Sequence, residues 1–172
     1  RLRGLRVDAE RLGLAIPAIV RASATQPPCA AGGASATTDP GGPIIPGTPR
    51  ANDVTASPGA FRTILIDAPC SGLGTLSRRP DIKLRRAPAD LNALAVLQGR
   101  ILDAALSVLP TGGRLAYITC TLNPAENEAQ VERLLSTAGS ASAAALAVEV
   151  QHTTPADTPA REFFYGVVLR KG

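Results

Sequence analysis

The sequence lacks methionine and tryptophan, and aromatic residues make up only 3% of its 172 positions. A folded core must therefore be built mainly from leucine, valine, isoleucine and alanine. The chain has no run approaching the roughly 20 apolar residues of a membrane helix, and its start lacks the basic and then apolar pattern of a signal peptide. We expect a cytoplasmic protein with no membrane partner.

Cysteine and histidine are too few and too scattered for a disulfide framework or a metal site. The three cysteines, Cys29, Cys70 and Cys120, are odd in number and have no CxxC spacing. The single histidine, His152, has no cysteine or carboxylate at ligand spacing. We therefore expect free thiols, no metal and no role for His152.

The composition is that of a globular chain with a small excess of positive charge. Hydrophobic residues make up 45% and charged residues 19%, with a net charge of +4. These values are typical of an α/β domain with a sizeable core. The positive excess permits an acidic partner such as nucleic acid without establishing one. We expect a monomer whose residues 1–172 form part of one domain.

The start of the chain predicts a fragment. RLRGLRVDAERLGL has apolar residues at helical spacing, but no capping residue precedes it and the chain has no initiator methionine.

IPAIVRAS, residues Ile16–Ser23, is typical of a short strand. From about residue 25 to 58 the Pro- and Gly-rich composition predicts a flexible surface loop. Its CAAGGASATT stretch, which contains Cys29, lacks the flanking strand and helix of a nucleotide-binding loop, so we interpret it as linker.

The rest of the chain alternates between predicted strands and helices. FRTILIDA is a continuous apolar strand of the kind buried on both faces of a parallel sheet, and GGRLAYITC is the next strand. AALAVEV and EFFYGVVLR are the closing strands. The strand and helix alternation predicts a parallel sheet with crossover helices.

Two helices are predicted between these strands. The first runs from about Ala89 to Leu109, and the apolar stripe expected to pack on the sheet comprises Leu91, Leu94, Leu97, Ile101, Leu102, Ala105 and Leu109. In the second, Asn123 can cap, Pro124 takes the first helical position and Glu126 takes the capping-box position.

Cys70 and Cys120 each fall at the carboxyl end of a predicted strand. In a parallel sheet, ligands bind outside the carboxyl ends of the strands, and neighbouring strands lie roughly 4.8 Å apart. Both thiols can therefore face one pocket, with Asp67 beside them. The alternative is that each cysteine is a small buried hydrophobic residue, which is a common state of a free cysteine.

These motifs resemble a known family. DAPCSGLGTLSRRPDIK and YITCTLNPAENEAQVERLL, with LQGRIL and GG between them, are similar to the Sun/RsmB-type RNA cytosine-5 methyltransferases. The resemblance is close from about Phe61 to Leu135, and the terminal EFFYGVVLRK is similar to the last strand of that family. It implies a Rossmann-like class I methyltransferase fold, truncated at the N-terminus so that its first two strands are missing.

The resemblance also implies a chemistry. A thiolate that adds to carbon 6 of cytosine activates carbon 5 toward the methyl group of S-adenosylmethionine, and a second group must help to release the product. The family pattern makes Cys120, in TCT, the nucleophile and Cys70, in PCSG, the group that assists release. It places Asp67 near the cofactor and the target base, whereas the alternative for Asp67 is a carboxylate that caps the following loop.

A cluster of basic side chains lies beside Cys70. It can neutralise phosphates of an RNA, which we expect to be ribosomal. The alternative is that this run of charges is only solvated surface. The cluster comprises Arg78, Arg79, Lys83, Arg85 and Arg86.

The sequence departs from the family pattern in its cofactor-binding parts. The glycine-rich cofactor loop and the acidic ribose-binding residue would both precede Arg1, and Leu84 stands where the family has tryptophan. Two hypotheses follow: a methyltransferase seen through a truncated sequence, or a non-catalytic remnant that at most binds RNA. An amino-directed nucleic-acid methyltransferase is disfavoured, because its motif ends in an aromatic residue where this chain has Cys70. We also expect the strand at Ile16–Ser23 to be displaced or to pair abnormally with the strand before Asp67.

Overall fold

The structure is a computed structural model that describes residues 61–138, 145–155, 157–159 and 161–172. The predicted strand at Ile16–Ser23, its pairing, the predicted loop at about 25–58 and Cys29 all lie outside the described residues.

The described residues form one mixed sheet. Its strands are β1 (Thr63–Asp67), β2 (Arg114–Thr119), β3 (Leu146–Thr153) and β4 (Tyr165–Lys171). They lie in the order β1-β2-β4-β3, with β1 parallel to β2 and β4 antiparallel to both of its neighbours. The predicted parallel pair is confirmed, but the prediction of a parallel sheet throughout is wrong. The described residues between β3 and β4 contain no helix, so the chain returns directly beside the strand that it has just left.

Helices connect the parallel strands and follow β2. They are α1 (Ile82–Arg85), α2 (Pro88–Val108) and α3 (Glu128–Ala138). Helix α2 is the crossover between β1 and β2; Pro88 occupies its first turn, and the Asp90 carboxylate accepts a hydrogen bond from the Ala87 N–H at 2.8 Å. A 3₁₀ turn over Pro124–Glu126 precedes α3, so the helix proper begins later than the sequence pattern predicts.

The core lies between the helices and one face of the sheet. Leu102 of α2, Leu115 of β2 and Leu169 of β4 are fully buried at its centre. The two tyrosines, Tyr117 and Tyr165, are also almost completely buried there. The prediction of a mainly aliphatic core is therefore right, although the scarce tyrosines are part of it.

Two burial predictions are wrong. Ile66 of β1 is buried, but Leu65 is 66% exposed, because alternate side chains of a strand point to opposite faces and α2 covers the face of Ile66. In α2, Leu97 is 37% exposed, whereas the polar Gln98 is fully buried. The apolar stripe is therefore interrupted at the level where the helix passes the loop after β1.

Helix α2 has the length and hydropathy of a membrane-crossing helix, although the sequence analysis predicts none. Its buried residues Ile101, Leu102 and Ala105 belong to the core, and Arg100 and Asp103 are exposed on the opposite side. Core helices of water-soluble proteins share these features, so length and composition alone are weak evidence for a membrane span.

Gly74 provides a test of how tightly the loop after β1 is packed. A Cβ atom at this position would lie 2.2 Å from the Phe163 carbonyl oxygen and 2.9 Å from that of Cys120, and backbone atoms cannot move away cheaply. We expect Gly74→Ala to lower the free energy of unfolding by about 1–3 kcal/mol. Gly166→Ala is the matched control, because a Cβ there meets nothing within 4 Å. Equal urea midpoints for the two variants would contradict this packing.

Candidate active site

The thiols of Cys70 and Cys120 are in contact at one edge of the sheet. The parallel ladder extends past β1, where the Ala68 N–H donates to the Ile118 carbonyl at 2.9 Å. Beyond it the two Sγ atoms lie 3.2 Å apart, and the Cys120 N–H donates to the Cys70 Sγ at 3.3 Å. The structure thus brings together the two cysteines that the strand pattern predicts at this edge, and both are only half-buried.

The surroundings of the two sulfurs are electrostatically unequal. Hydrogen bonding from the Cys120 thiol, together with the backbone N–H groups of Cys120 and Gly72, outweighs partial burial and lowers the pKa of Cys70 from 9.0 to about 6. The same thiol contact, burial, and the charges of Cys70 and Asp67 raise the pKa of Cys120. At neutral pH the geometry therefore favours a thiolate on Cys70 and a proton on Cys120.

Hydrogen bonds join the two cysteine loops to each other. The hydroxyl groups of Ser71 and Thr121, the residues that follow the two cysteines, lie 2.7 Å apart and are buried. The Gly74 N–H donates to the Cys120 carbonyl at 3.0 Å. The loops therefore form one packed unit.

A buried carboxylate and a buried amide hold the backbone on both sides of Cys70. The Glu126 Oε2 accepts from the Ser71 N–H at 2.8 Å and from the Gln98 Nε2 at 2.9 Å, and its Oε1 accepts from the Asn123 side chain at 3.0 Å. The Gln98 Nε2 also donates to the Pro69 carbonyl at 2.9 Å. Glu126 and Gln98 are fully buried.

This arrangement corrects the capping-box prediction. Asn123 does cap the turn, since its side-chain oxygen accepts from the Ala125 N–H at 3.2 Å. The Glu126 side chain, however, bonds the side chain of Asn123 and turns inward to Ser71. The Ser71 N–H, which is buried in the Cys70 loop, obtains its hydrogen-bond acceptor in this way.

The next residue, Asn127, holds the backbone around Cys120. Its Oδ1 accepts from the Thr119 hydroxyl at 2.6 Å, and its Nδ2 donates to the Thr121 carbonyl at 3.0 Å. Asn127 is 3% exposed. Two consecutive side chains of one turn thus bond to the neighbours of the two cysteines.

A cavity of about 750 Å³ opens above the thiols. Asp67 lies at its edge, exposed at the end of β1. The cavity is lined by Asp67, Ala68, Pro69, Cys70, Ser71, Gly72, Thr75, Arg79, Asp81, Ile82, Arg85, Arg86 and Cys120. A reactant in this cavity would meet sulfur, carboxylate and guanidinium groups together.

The predicted basic cluster divides into two parts. Arg79, Arg85 and Arg86 line the cavity, whereas Arg78 and Lys83 do not. Arg78 instead forms an ion pair with Glu162 at 2.7 Å. Arg79 and Arg85 approach Asp81 at 3.8 and 3.5 Å, exposed contacts that leave their charges available to a ligand.

Within the described ranges, no group of three or more His, Cys, Asp or Glu side chains could hold a metal ion. His152 is exposed on β3. The expectation of no metal site in the whole chain remains a prediction.

The sequence analysis missed Gln98 and Asn127 and gave Glu126 a different role. Gln98 offered a signal, because it lies at helical spacing between Leu94 and Ile101 and is therefore a polar residue on an apolar stripe. Such a residue is buried only if it finds partners. Asn127 offered no comparable signal.

The sequence model of the 16S rRNA methyltransferase RsmB/F family matches residues 1–165. The probable ribosomal RNA small subunit methyltransferase B of Synechocystis sp. is 56% identical over 71 residues, which are 41% of this chain and 16% of that protein. The ribosomal RNA small subunit methyltransferase B of Sodalis glossinidius is 38% identical over 136 residues, 74% of this chain and 30% of that protein. The chain thus spans less than a third of the length of these curated relatives.

Solved structures share the fold. NSun6 from Pyrococcus horikoshii, in a crystal structure with SFG, is 28% identical with a TM-score of 0.52, over 63% of this chain and 29% of that one. A methyltransferase homolog from the same organism has a TM-score of 0.55 at 20% identity, over 99% of this chain and 50% of that one. The mixed sheet with its crossover helix is therefore a Rossmann-like methyltransferase fold.

The unequal thiols lead to a titration prediction. A thiolate reacts with iodoacetamide and a thiol does not, so Cys70 should gain reactivity as the pH rises through about 6, the value to which its pKa is lowered. Cys120, with a raised pKa, should stay unreactive over the same range. Peptide mass spectrometry distinguishes the two sites. Labelling of Cys120 before Cys70 would contradict the assigned charges.

Proposed function

The chain belongs to the RsmB/F family of 16S rRNA methyltransferases, and we propose that it carries both reacting thiols of an S-adenosylmethionine-dependent RNA (cytosine-5) methyltransferase. The supporting observation is the contact of Cys70 and Cys120 at 3.2 Å on the wall of a cavity that arginines also line. We further propose a monomeric cytoplasmic protein that acts on ribosomal RNA.

Addition of a thiolate to carbon 6 makes carbon 5 of cytosine nucleophilic. In the proposed first step, the Cys120 thiol passes its proton to the Cys70 thiolate while the Cys120 sulfur bonds to carbon 6. The double bond between carbons 5 and 6 breaks, and its electron pair moves toward carbon 5. S-adenosylmethionine, when bound, supplies an electrophilic methyl group to carbon 5. Cys70 then gives its proton to solvent and becomes a base again, and the N–H groups of Cys120 and Gly72 still favour its thiolate at this stage.

Product release uses the same pair in the opposite sense. The Cys70 thiolate takes the proton from carbon 5, the ring double bond forms again, and the bond between carbon 6 and sulfur breaks with its electron pair on Cys120. The proton then passes from Cys70 to Cys120, which restores the resting pair. The roles of Cys120 in TCT and Cys70 in PCSG follow the family resemblance, and the N–H groups that bond Cys70 favour it as the base.

The cavity offers groups that fit both reactants. The exposed Asp67 carboxylate would hold a polar group of the cofactor near the target base, and a crystal structure of the related NSun6 contains SFG, an analogue of S-adenosylmethionine. Arg79, Arg85 and Arg86 can neutralise RNA phosphates around the reacting base. Arg78 and Lys83 lie outside the cavity and would contact RNA only beyond it.

The second candidate is a non-catalytic chain that at most binds RNA. It is supported by the arginines that line the cavity, because they can bind phosphates whether or not the thiols react. The two candidates differ in whether a covalent adduct with RNA forms.

Single substitutions separate the roles of the thiols in the full-length protein. Cys120→Ala should abolish both turnover and any covalent RNA adduct. Cys70→Ala should abolish turnover but accumulate an adduct, because Cys120 loses the neighbour that raises its pKa while the base that removes the carbon 5 proton is gone. Denaturing gels with RNA and cofactor report the adduct, and Cys29→Ala is the control. An adduct with Cys120→Ala and none with Cys70→Ala would exchange the roles.

Cofactor affinity should be low for this chain alone. Asp67 is the single cofactor-binding residue that the family resemblance assigns to it. The resemblance assigns no residue of this sequence to the glycine-rich loop or to the ribose-binding carboxylate. We expect calorimetry to detect binding of S-adenosylmethionine weaker than roughly micromolar, or none. A micromolar dissociation constant would contradict this expectation.

A further inference from the structure

We propose that the turn at Glu126 and Asn127 is a positioning device that holds the Cys70 and Cys120 sulfurs in contact. The inference rests on the proposed function in treating the two thiols as the reacting groups. None of the hydrogen bonds that the structure shows for these two side chains goes to a sulfur atom, so both act through groups beside the cysteines.

The first half of the device fixes Cys70 from both sides. Glu126 accepts a hydrogen bond from the N–H of Ser71, the residue after Cys70. Gln98 donates to the carbonyl of Pro69, the residue before Cys70, and also to the Glu126 carboxylate. The orientation of the Gln98 amide is determined, because both partners of its nitrogen are acceptors. The peptide units that flank Cys70 therefore have fixed directions.

The second half fixes Cys120 in the same way. Asn127 accepts a hydrogen bond from the hydroxyl of Thr119, the residue before Cys120. It donates to the carbonyl of Thr121, the residue after Cys120. Because Glu126 and Asn127 are joined by one peptide bond, the two cysteine loops cannot move independently. The turn thus adds a constraint on the distance between the sulfurs to the direct hydrogen bonds between the two loops.

The turn itself is anchored to the sheet. The Tyr117 hydroxyl, on β2, donates to the Glu126 carbonyl at 2.7 Å. Burial, and then the charges of Glu126 and Cys70, raise the pKa of Tyr117, so this donor keeps its proton at neutral pH. Strand β2 therefore supports both Cys120 at its end and the turn that places Cys70.

The buried carboxylate is specifically required in this scheme. All three of its partners are donors, namely the Ser71 N–H and the amide groups of Gln98 and Asn123. A glutamine at position 126 would place its NH₂ group against at least one donor. A buried donor without an acceptor is unfavourable, and the Cys70 loop can relieve this strain by moving away from Cys120.

The equilibrium between the two thiols and glutathione disulfide measures how well the sulfurs are placed. The Cys70 thiolate attacks glutathione disulfide and expels one glutathione thiolate. Cys120 then loses its proton to solvent and attacks the Cys70 sulfur, which expels the second. Two protein thiols are oxidised and one glutathione disulfide is reduced to two thiols. The equilibrium constant of this exchange depends on the effective concentration of one protein thiol near the other. Its measurement requires neither cofactor nor RNA.

The experiment uses the 172-residue chain with Cys29→Ser, so that one intramolecular disulfide can form. We expect a Cys70–Cys120 disulfide in mapped peptides, and we expect Glu126→Gln and Asn127→Ala each to lower the equilibrium constant about tenfold or more. Glu132→Gln, an exposed carboxylate on α3, should change it less than about threefold. Leu134→Ala, a core substitution on the same helix, should also change the equilibrium constant less than about threefold, although it lowers thermal stability.

Several results would overturn the proposal. They are the absence of the disulfide in the unsubstituted pair, unchanged constants in both Glu126→Gln and Asn127→Ala, and an equal loss in Leu134→Ala. If Glu126→Gln does not fold, Gln98→Met and Asn127→Ala decide the question. If none of these folds, the turn serves the fold rather than the placement of the thiols, and the proposal is wrong. A failed adduct assay with a normal glutathione equilibrium would instead count against the proposed function alone.

Discussion

The burial of the Glu126 carboxylate is the constraint on which the arrangement of the site depends. Taking a carboxylate out of water is costly unless hydrogen bonds replace its hydration. Here the replacements come from three separate places, namely the Cys70 loop, helix α2 and the start of the turn itself. The buried carboxylate is tolerated only while all three donors stay in place. It therefore fixes the position of one strand end relative to the other. The contact of the thiols is a consequence of that relation.

The two strand ends that carry the cysteines could be predicted from the sequence, but the buried side chains that hold them could not. The continuous apolar strand before Asp67, and the strand before Cys120, predict two strand ends, and parallel pairing brings them to one edge. The pattern could not predict that Leu65 is exposed, because an apolar run carries no information about which face a helix covers. Nor could it distinguish a Glu126 that caps a helix from one that turns inward, since both place Glu at the same position. That choice is made by Ser71 and Gln98, which are distant in sequence.

The two thiols are equivalent when only the strand ends are considered and unequal once the backbone is included. The hydrogen bond from the Cys120 thiol, together with N–H groups of Cys120 and Gly72, lowers the pKa of Cys70. The same thiol contact, burial, and the charges of Cys70 and Asp67 raise the pKa of Cys120. A pair that shares one proton in this way can act as acid and base in successive steps without a histidine. This inequality links the geometry to the proposed division of labour between Cys70 and Cys120.

Phenylarsine oxide tests most directly whether the two sulfurs are held in contact, because trivalent arsenic bridges two neighbouring thiols with loss of one water molecule. In the chain with Cys29→Ser, intact mass spectrometry should show one bridged phenylarsenic group that survives dilution. Further replacement of Cys70 or Cys120 by serine should each abolish it. Absence of the bridged product, or its persistence in either variant, would contradict the account.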